Sequence, residues 1–526
     1  MKARKFPVEH FSKLHPAVSD YIGNTGPWRY PSTEDVLQSA EYQVRNFQHR
    51  ATLVEVLLEQ HAHLSPDSVV IQNIEALRSE RTCTITTGHQ LGVFGGPLFM
   101  ASKILTVARW TSEMNRIQGE FQFVPVFWMA SEDHDFDEIQ TTHWRNQSWT
   151  WQHGKASCVG ELHTENLEEG WAWLFEQCRE SERELLLQLK QASTVSDYSA
   201  SFQRIVLHWF ESFGVIVLNP HDVRLKRLFQ NLMHQELAGE VSLKEVIASS
   251  EHKWNQSGYS EAVHVRDVNL FYLHDQTRSR IQRTDDGFEL VGSSVKWSIE
   301  EALQLLQQHP ERFSPNVVMR PIYQECILPN AAYVGGPGEV AYWLQILPAF
   351  QALEMKAPCV LLRHHLTLCD EAIVRKCQKI NLSPDEAILD RDAILQRWVH
   401  VDQSPMERAQ ADIQAVMQQL RQALIAFDVN LGSATDAEMH RMQTSLTQLE
   451  KKWMKSMRMK EEVAIQQLDA IRDQLQPQGI PHERQDALAL WWARGGDELL
   501  RQIFLEMDPI RPEWIFLTVP TSHSIV

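Results

Sequence analysis

Short apolar runs alternate along most of this chain with longer stretches of helical periodicity. Residues 1 to about 80 read as a helical layer. Ser32-Thr33-Glu34-Asp35 offers an N-cap with acids in the first turn, and Gln38 to His61 carries Val44, Phe47, Leu53, Val56, Leu57 and Leu58 at roughly helical intervals. Cys83–Thr87 is β-branched and reads as a strand, and Leu98 to Trp110 after Pro97 reads as a helix. Phe123–Trp128, Gly214–Leu218 and Pro358–Leu362 are further buried-strand runs, each ending in polar residues. Strands separated by helical stretches predict an α/β core with a mostly parallel, doubly wound sheet. Between residues 260 and 292 the runs Val263–Val265, Leu270–Leu273 and Phe288–Val291 are divided by turn residues, which predicts a small antiparallel insertion. From Pro405 the spacing is heptad-like: Met406, Ala409, Ile413, Met417, Leu420, Leu424 and Phe427, then, past a break at Gly432-Ser433, Met442, Leu446, Leu449 and Trp453, and later Leu468, Ile471 and Leu475. That predicts a long antiparallel coiled-coil hairpin whose longer second arm needs a partner, either the body or another subunit. The expected segments are 1–80 (helical layer), 81–258 (first half of the core), 259–300 (insertion), 301–384 (second half), 385–476 (hairpin) and 477–526 (a return to the core).

The polar residues concentrate where strands end. Phe127 to Ile139 begins as a buried strand and then delivers Glu132, Asp133, His134, Asp135, Asp137 and Glu138 almost without interruption. A core strand running directly into a dense polar cluster is how an α/β protein places chemistry at the carboxyl edge of its sheet. The strand Cys83–Thr87 runs into a glycine-rich loop with Gly88, His89, Gln90, Gly92, Gly95 and Gly96 before a helix. Strand, glycine loop and helix is an arrangement that can hold an anion on backbone N–H groups. It is neither a Walker A loop nor a dinucleotide fingerprint. A second loop, Gly335-Gly336-Pro337-Gly338-Glu339, also precedes a helix, with Arg320 and Gln324 upstream. Its glycines either admit a ligand closely or simply make a turn. Arg363, at a strand tip, is either an anion ligand or the partner of an acid.

Composition narrows the field. The chain has 526 residues, 43% hydrophobic and 22% charged, with a formal charge of −18. That acidity argues against broad nucleic-acid binding. No apolar segment approaches the length of a membrane span, and a cytoplasmic protein is expected. Seven widely spaced cysteines include no CxxC pair. No Cys/His set with metal-ligand spacing stands out, so no bound zinc is expected.

Thr87 to Leu98, the Glu132–Glu138 acids, Arg320-Pro321, Gly335 to Glu339 and His482-Glu483-Arg484 together resemble the bacillithiol biosynthesis cysteine-adding enzyme family, in order over essentially the whole chain. That family usually has Gly-Gln-Gln at the first loop; His89 here replaces the first Gln. The resemblance implies a Rossmann-like core similar to class I aminoacyl-tRNA synthetases, with insertions and a dimerising coiled coil. It also implies addition of cysteine to glucosaminyl-malate, with ATP or another nucleotide as possible cosubstrate. Amide formation from a free carboxylate needs activation. On that expectation the Gly88–Gly96 loop holds phosphates, and His89 and Gln90 stabilise the charge that develops there. Glu132, Asp133 or Asp135 binds the cysteine ammonium or acts as base. Arg320 and Arg363 are candidates for the malate carboxylates. His134 is either catalytic or the structural partner of a neighbouring acid. Lys-Met-Ser-Lys-Ser is absent. Two other classes stay open: a divalent-metal hydrolase using the acidic cluster, and a non-catalytic scaffold built on the coiled coil.

Overall fold

Five apolar runs pair in parallel: β1 (Thr82–His89), β2 (Gln122–Met129), β3 (Ile216–Leu218), β4 (Asn330–Gly335) and β5 (Cys359–Leu362). Their order across the sheet is β5-β4-β1-β2-β3. Nearly every residue of these strands is buried, as in a parallel sheet covered on both faces. This computed structural model describes residues 2–10, 14–117, 119–153, 158–399 and 405–520. The chain forms two units, Met1–Leu368 with Ile480–Val526, and Cys369–Gly479.

The interior position of β4, between β1 and the edge strand β5, is not announced by its sequence. Asn330-Ala-Ala-Tyr-Val-Gly is short and carries two alanines, so it reads as the approach to a glycine loop. It is nonetheless held between β1 and β5. Asn330 accepts from the Thr84 and Thr86 hydroxyls at 3.1 and 2.8 Å, a buried polar join between β1 and β4.

The helix Leu98–Ile117 follows β1 and the helix Pro337–Ala352 follows β4, both along the sheet. The insertion is a five-stranded antiparallel sheet ordered Lys296–Trp297, Gly287–Leu290, Thr277–Thr284, Leu270–His274 and Phe313–Pro315. Val263–Val265 is not one of its strands. The polar strand Thr277–Thr284 took no place in the sequence reading because its side chains show no apolar alternation. A third sheet joins Lys2–Pro7 to the terminal strand Glu513–Val519, antiparallel from Lys2 opposite Thr518 to Pro7 opposite Glu513, and to His365–Asp370. Lys2–Pro7 is therefore a strand within the segment expected to be helical.

In the second unit, Pro405–Phe427 and Leu431–Leu475 form the expected hairpin. The turn lies at residues 428–430, and the second helix runs through Gly432-Ser433 without a break. Gly432 serves close approach instead: a Cβ there would lie 3.2 Å from Ile425. Arg421 spans the arms with two bonds to Asp436, at 2.6 and 3.0 Å. Leu468, Ile471 and Leu475 are buried, and the helices Glu371–Lys379 and Pro384–Ala387 of the same unit pack on this long helix. The far end of the second arm thus finds cover within its own unit. Among the described residues, no helix is long and apolar enough to cross a membrane.

Candidate active site

Parallel pairing sets Gly88 beside Trp128 and His89 beside Met129, and the Ala130 N–H donates to the His89 carbonyl at 3.0 Å. The loop after β1 and the acid segment after β2 therefore leave the sheet side by side. β4 ends on the other side of β1. The carboxyl ends of these three strands surround a cavity of about 700 Å³. Its wall includes His89, Gln90, Glu132, Asp133, Arg320 and Glu339. It lies where the strand order reverses, the usual ligand crevice of an open α/β sheet, and its volume suits a small metabolite.

The two acids nearest the sheet are engaged. Glu132 is buried and bonded to Lys226 Nζ at 2.7 Å, to His221 Nδ1 at 3.3 Å and to the Ser314 hydroxyl at 3.2 Å. Burial would raise its pKa, but Lys226 and His221 outweigh that and hold it near 2. His221 is pulled the other way. Burial lowers its pKa, yet Glu132 and Glu161 lift it to about 9. Asp133 accepts from Gln90 Nε2 at 2.9 Å and from the His134 N–H at 2.8 Å, with Arg278 at 3.5 Å. Despite burial, these contacts hold its carboxyl well below the usual range. Gln90 also donates to Glu138. His134 and Asp135 turn outward and are exposed, away from the cavity wall. The His134 ring lies 3.4 Å from Asp133 Oδ1, a partner of the neighbouring acid.

Opposite the acids, Lys103 is buried on the helix Leu98–Ile117. It donates to the Gly88 carbonyl at 2.9 Å and pairs with Glu339 at 2.5 Å. Burial lowers the Lys103 pKa, with Glu339 opposing. Glu339 also accepts from the Tyr333 hydroxyl at 2.6 Å and the Gly336 N–H at 2.8 Å. Arg320 sits among the rings of Tyr333, Trp128 and Trp343, 5.3 to 5.9 Å from their centroids. Its Nη1 donates to Gln324 at 3.1 Å, and the Tyr342 hydroxyl interacts with the guanidinium; among the described residues, its buried Nη2 makes no geometrically sound hydrogen bond. A buried guanidinium N–H left unpaired is costly, which marks the point where the cavity is ready for an acceptor. His89 packs edge-on to Phe99 at 4.7 Å. Among the described residues, no group bonds its ring nitrogens. Burial and Lys103 push its pKa down to about 3, so the ring is neutral.

Several expected ligand positions lie outside the cavity lining. Gly95 and Gly96 face the core, not the cavity. Their N–H groups donate to Gly92 and Val93 carbonyls, and a Cβ on Gly95 would lie 2.4 Å from Trp209. This loop is a packing turn, and the N–H groups of Gly92, Gly95 and Gly96 are already used within it. Arg363 is fully buried in a two-bond pair with Glu483, at 2.7 and 3.2 Å. Glu483 further accepts from His365 at 3.0 Å and the Leu366 N–H at 2.7 Å. The ion-pair alternative for Arg363 is the one the geometry displays, and it accounts for Glu483 of the His482-Glu483-Arg484 motif. Gln324 is buried behind Arg320 and orients it. Gly335 and Gly336 lie buried at the end of β4, where the Gly335 carbonyl accepts from Arg363; Gly338 is exposed.

Lys103, Lys226 and Arg278 went unnoticed in the sequence. For two of them a signal existed. Lys103 stands four residues after Phe99 in an apolar helix, and Lys226 stands on the apolar stripe with Phe229 and Met233. Arg278 carries no such mark. One further group assembles beside the cavity: Cys158, Glu161 and His221 place one ligand-type atom each within 4.8 Å of the others.

A Rossmann-like sheet with a polar crevice at its carboxyl edge, joined to a helical hairpin, defines an α/β protein built to bind a small ligand. The N-terminal Rossmann-like domain of the bacillithiol biosynthesis BshC family matches residues 18–364, and the C-terminal coiled-coil domain of the same family matches residues 366–519. The chain belongs to this family. It is 30% identical over 526 residues to a Flavobacterium johnsoniae protein, covering 97% of this chain and 98% of that one. It is 32% identical to a Cytophaga hutchinsonii protein, covering 91% of each. Both relatives bear the name "Putative cysteine ligase BshC". A solved "putative arginyl t-RNA synthetase" from Campylobacter jejuni aligns with 80% of this chain and all of its own at 10% identity, with a TM-score of 0.23, too low to support an argument.

Proposed function

We propose that the protein is a ligase that joins the carboxyl group of L-cysteine to the amine of glucosaminyl-malate, with ATP or another nucleotide activating the carboxylate. The relatives' name supports the cysteine-ligase class. The observation that carries the reading to this site is the unpartnered Arg320 Nη2 in a cavity with carboxylates on its opposite wall. A substrate with malate carboxylates at one end and an amine at the other matches that polarity. Arg320, held by Gln324 and the aromatic rings, binds a malate carboxylate. Asp133, fixed by Gln90 and Arg278, faces the cysteine ammonium. Glu132 keeps Lys226 and His221 in place and does not serve as base, because a carboxylate held near pKa 2 takes a proton poorly at neutral pH. His89 stays neutral and donates an N–H to the oxyanion that develops as the amine attacks. The activating phosphates are assigned to the cavity wall at Lys103, not to the Gly92–Gly96 turn. We also assign the chain to a homodimer formed through its hairpin, acting on soluble small molecules in the cytoplasm.

The test is direct. Purified protein is incubated with cysteine, glucosaminyl-malate and ATP, and the mass of the amide product is sought by mass spectrometry. The expected result is a nucleotide-dependent thiol product. With Arg320→Gln, KM for the acceptor rises at least tenfold, as loss of a charged hydrogen bond worth about 1.5–3 kcal/mol requires. Folded protein that makes no product with any nucleoside triphosphate overturns the reading.

A further inference from the structure

Beside the cavity, where the strands β2 and β3 end, the turn carrying Cys158 and Glu161 meets His221. Their Sγ, carboxylate and imidazole atoms all lie within 4.8 Å of one another, and His221 Nε2 is 3.7 Å from Glu161 Oε1. We propose that these three side chains bind one divalent, thiophilic metal ion of the zinc type, with a water in the fourth position. The expectation of no zinc rested on spacing along the chain. Cys158 and Glu161 are close neighbours in the chain, but His221 is too distant for spacing to reveal.

Four features support a built site. First, the ligands stand on braced segments. The turn Val159–Glu161 is bonded to the acid segment after β2, Val159 N–H to the Asp133 carbonyl at 2.7 Å and Gly160 N–H to the Ser131 carbonyl at 2.8 Å. A Cβ on Gly160 would lie 2.7 Å from Ser131 Cβ, so only glycine permits this approach. The His221 segment is fixed in turn, because Asn219 Oδ1 accepts from both the Ser131 hydroxyl at 2.6 Å and the His221 N–H at 3.1 Å. Second, Glu132 accepts from His221 Nδ1 at 3.3 Å. A carboxylate on one imidazole nitrogen leaves the other aimed at a metal, the carboxylate–histidine–metal relay of many zinc sites. Third, the donor set selects the ion. Thiolate and imidazole favour zinc over magnesium or calcium, and three protein ligands with one open position is the pattern of a reactive zinc site. Fourth, the charge closes: the Cys158 thiolate and the Glu161 carboxylate balance a dication. Binding releases the Cys158 thiol proton, and any proton on His221 Nε2, to solvent.

This proposal does not depend on the ligase reading. The full chain, stripped with a chelator, is titrated with Co²⁺ and followed by visible absorption, then challenged with Zn²⁺. One cobalt per chain is expected, with a thiolate-to-metal charge-transfer band and tetrahedral ligand-field bands that Zn²⁺ abolishes. Cys158→Ser removes the charge-transfer band, while Cys178→Ser retains it. Glu161→Gln, an isosteric change at an exposed position, weakens cobalt binding at least tenfold. Failure of the wild-type chain to bind cobalt, or a charge-transfer band that survives Cys158→Ser, overturns the proposal. Should Cys158→Ser not fold, Glu161→Gln carries the test, and cobalt affinity unchanged in that variant overturns it.

Discussion

A carboxyl whose burial outweighs its nearby counter-charge records the cost as a raised pKa, and Glu325 is such a group. It accepts from Asn330 Nδ2 at 2.7 Å and Gln324 Nε2 at 2.8 Å through one oxygen, while the other oxygen is buried without a partner. Burial pushes its pKa from 4.5 up to about 8, although both amides and the Arg320 charge favour the anion. The folded state therefore keeps a proton that the unfolded state gives up above pH 4.5. Between pH 4.5 and 8 the unfolded chain binds fewer protons, so stability falls as pH rises and levels off above 8. Glu325→Gln removes this slope. Denaturant unfolding at pH 5 and pH 9 should show a variant gaining on the order of 2–4 kcal/mol relative to wild type at the higher pH, and little at the lower. Equal pH dependence in both proteins would contradict the burial argument. His89 obeys the same physics with opposite charge. Because burial and Lys103 keep the ring neutral, the kcat/KM profile of the proposed ligase should show no limb from His89 between pH 5 and 8. His89→Gln keeps a neutral donor and should retain activity within tenfold. His89→Ala should lose about 10²-fold or more in kcat, as deletion of an oxyanion donor does. A His89→Gln variant as inactive as His89→Ala would show that the imidazole does more than donate.

At the scale of elements, legibility followed how much of the signal is local. β1, β2 and the acid segment after it were readable because an apolar run ending in polar residues is one continuous pattern. β4 was not, because what makes it a strand is the pairing of Asn330 with Thr84 and Thr86 across the sheet. The glycine loop shows a different limit. A turn that offers N–H groups to phosphate and a turn that packs against a tryptophan use the same residues, and only the tertiary neighbour separates them. Gly95 has φ +85°, and Trp209 fills the space where its Cβ would be. Gly95→Ala should therefore lower stability by about 2–4 kcal/mol through backbone strain and overpacking. In denaturant melts the midpoint should fall, while nucleotide affinity of the folded fraction stays unchanged. Weaker nucleotide binding at unchanged stability would restore the phosphate role to this loop. The candidate site was thus half legible. Its acids and Arg320 stood out as polar residues at strand ends. Lys103 and Lys226, the cations that fix those acids, hid inside apolar helices, where a lysine reads as a surface residue.

For the molecule as a whole, the hairpin is the part whose covering remains to be explained. Two antiparallel helices can bury one seam between them, and each has a second side. The lower part of the long helix packs on the short helices of its own unit, but Val416, Leu420, Leu449 and Val463 remain 62%, 46%, 53% and 53% exposed. Phe427, at the turn, is 89% exposed. Singly exposed apolar residues need no explanation, whereas several along one two-helix arm make a surface that a second copy can cover as in a helical bundle. The proposed dimer then has a mass of twice 60.9 kDa. Light scattering at micromolar concentration should give that value. The double variant Leu420→Glu with Leu449→Glu should give the monomer mass with undiminished helical circular dichroism, because neither side chain is part of a buried core. If the wild-type chain is a monomer, or if the double variant remains a dimer, the hairpin does not mediate assembly and its exposed apolar face must serve another purpose.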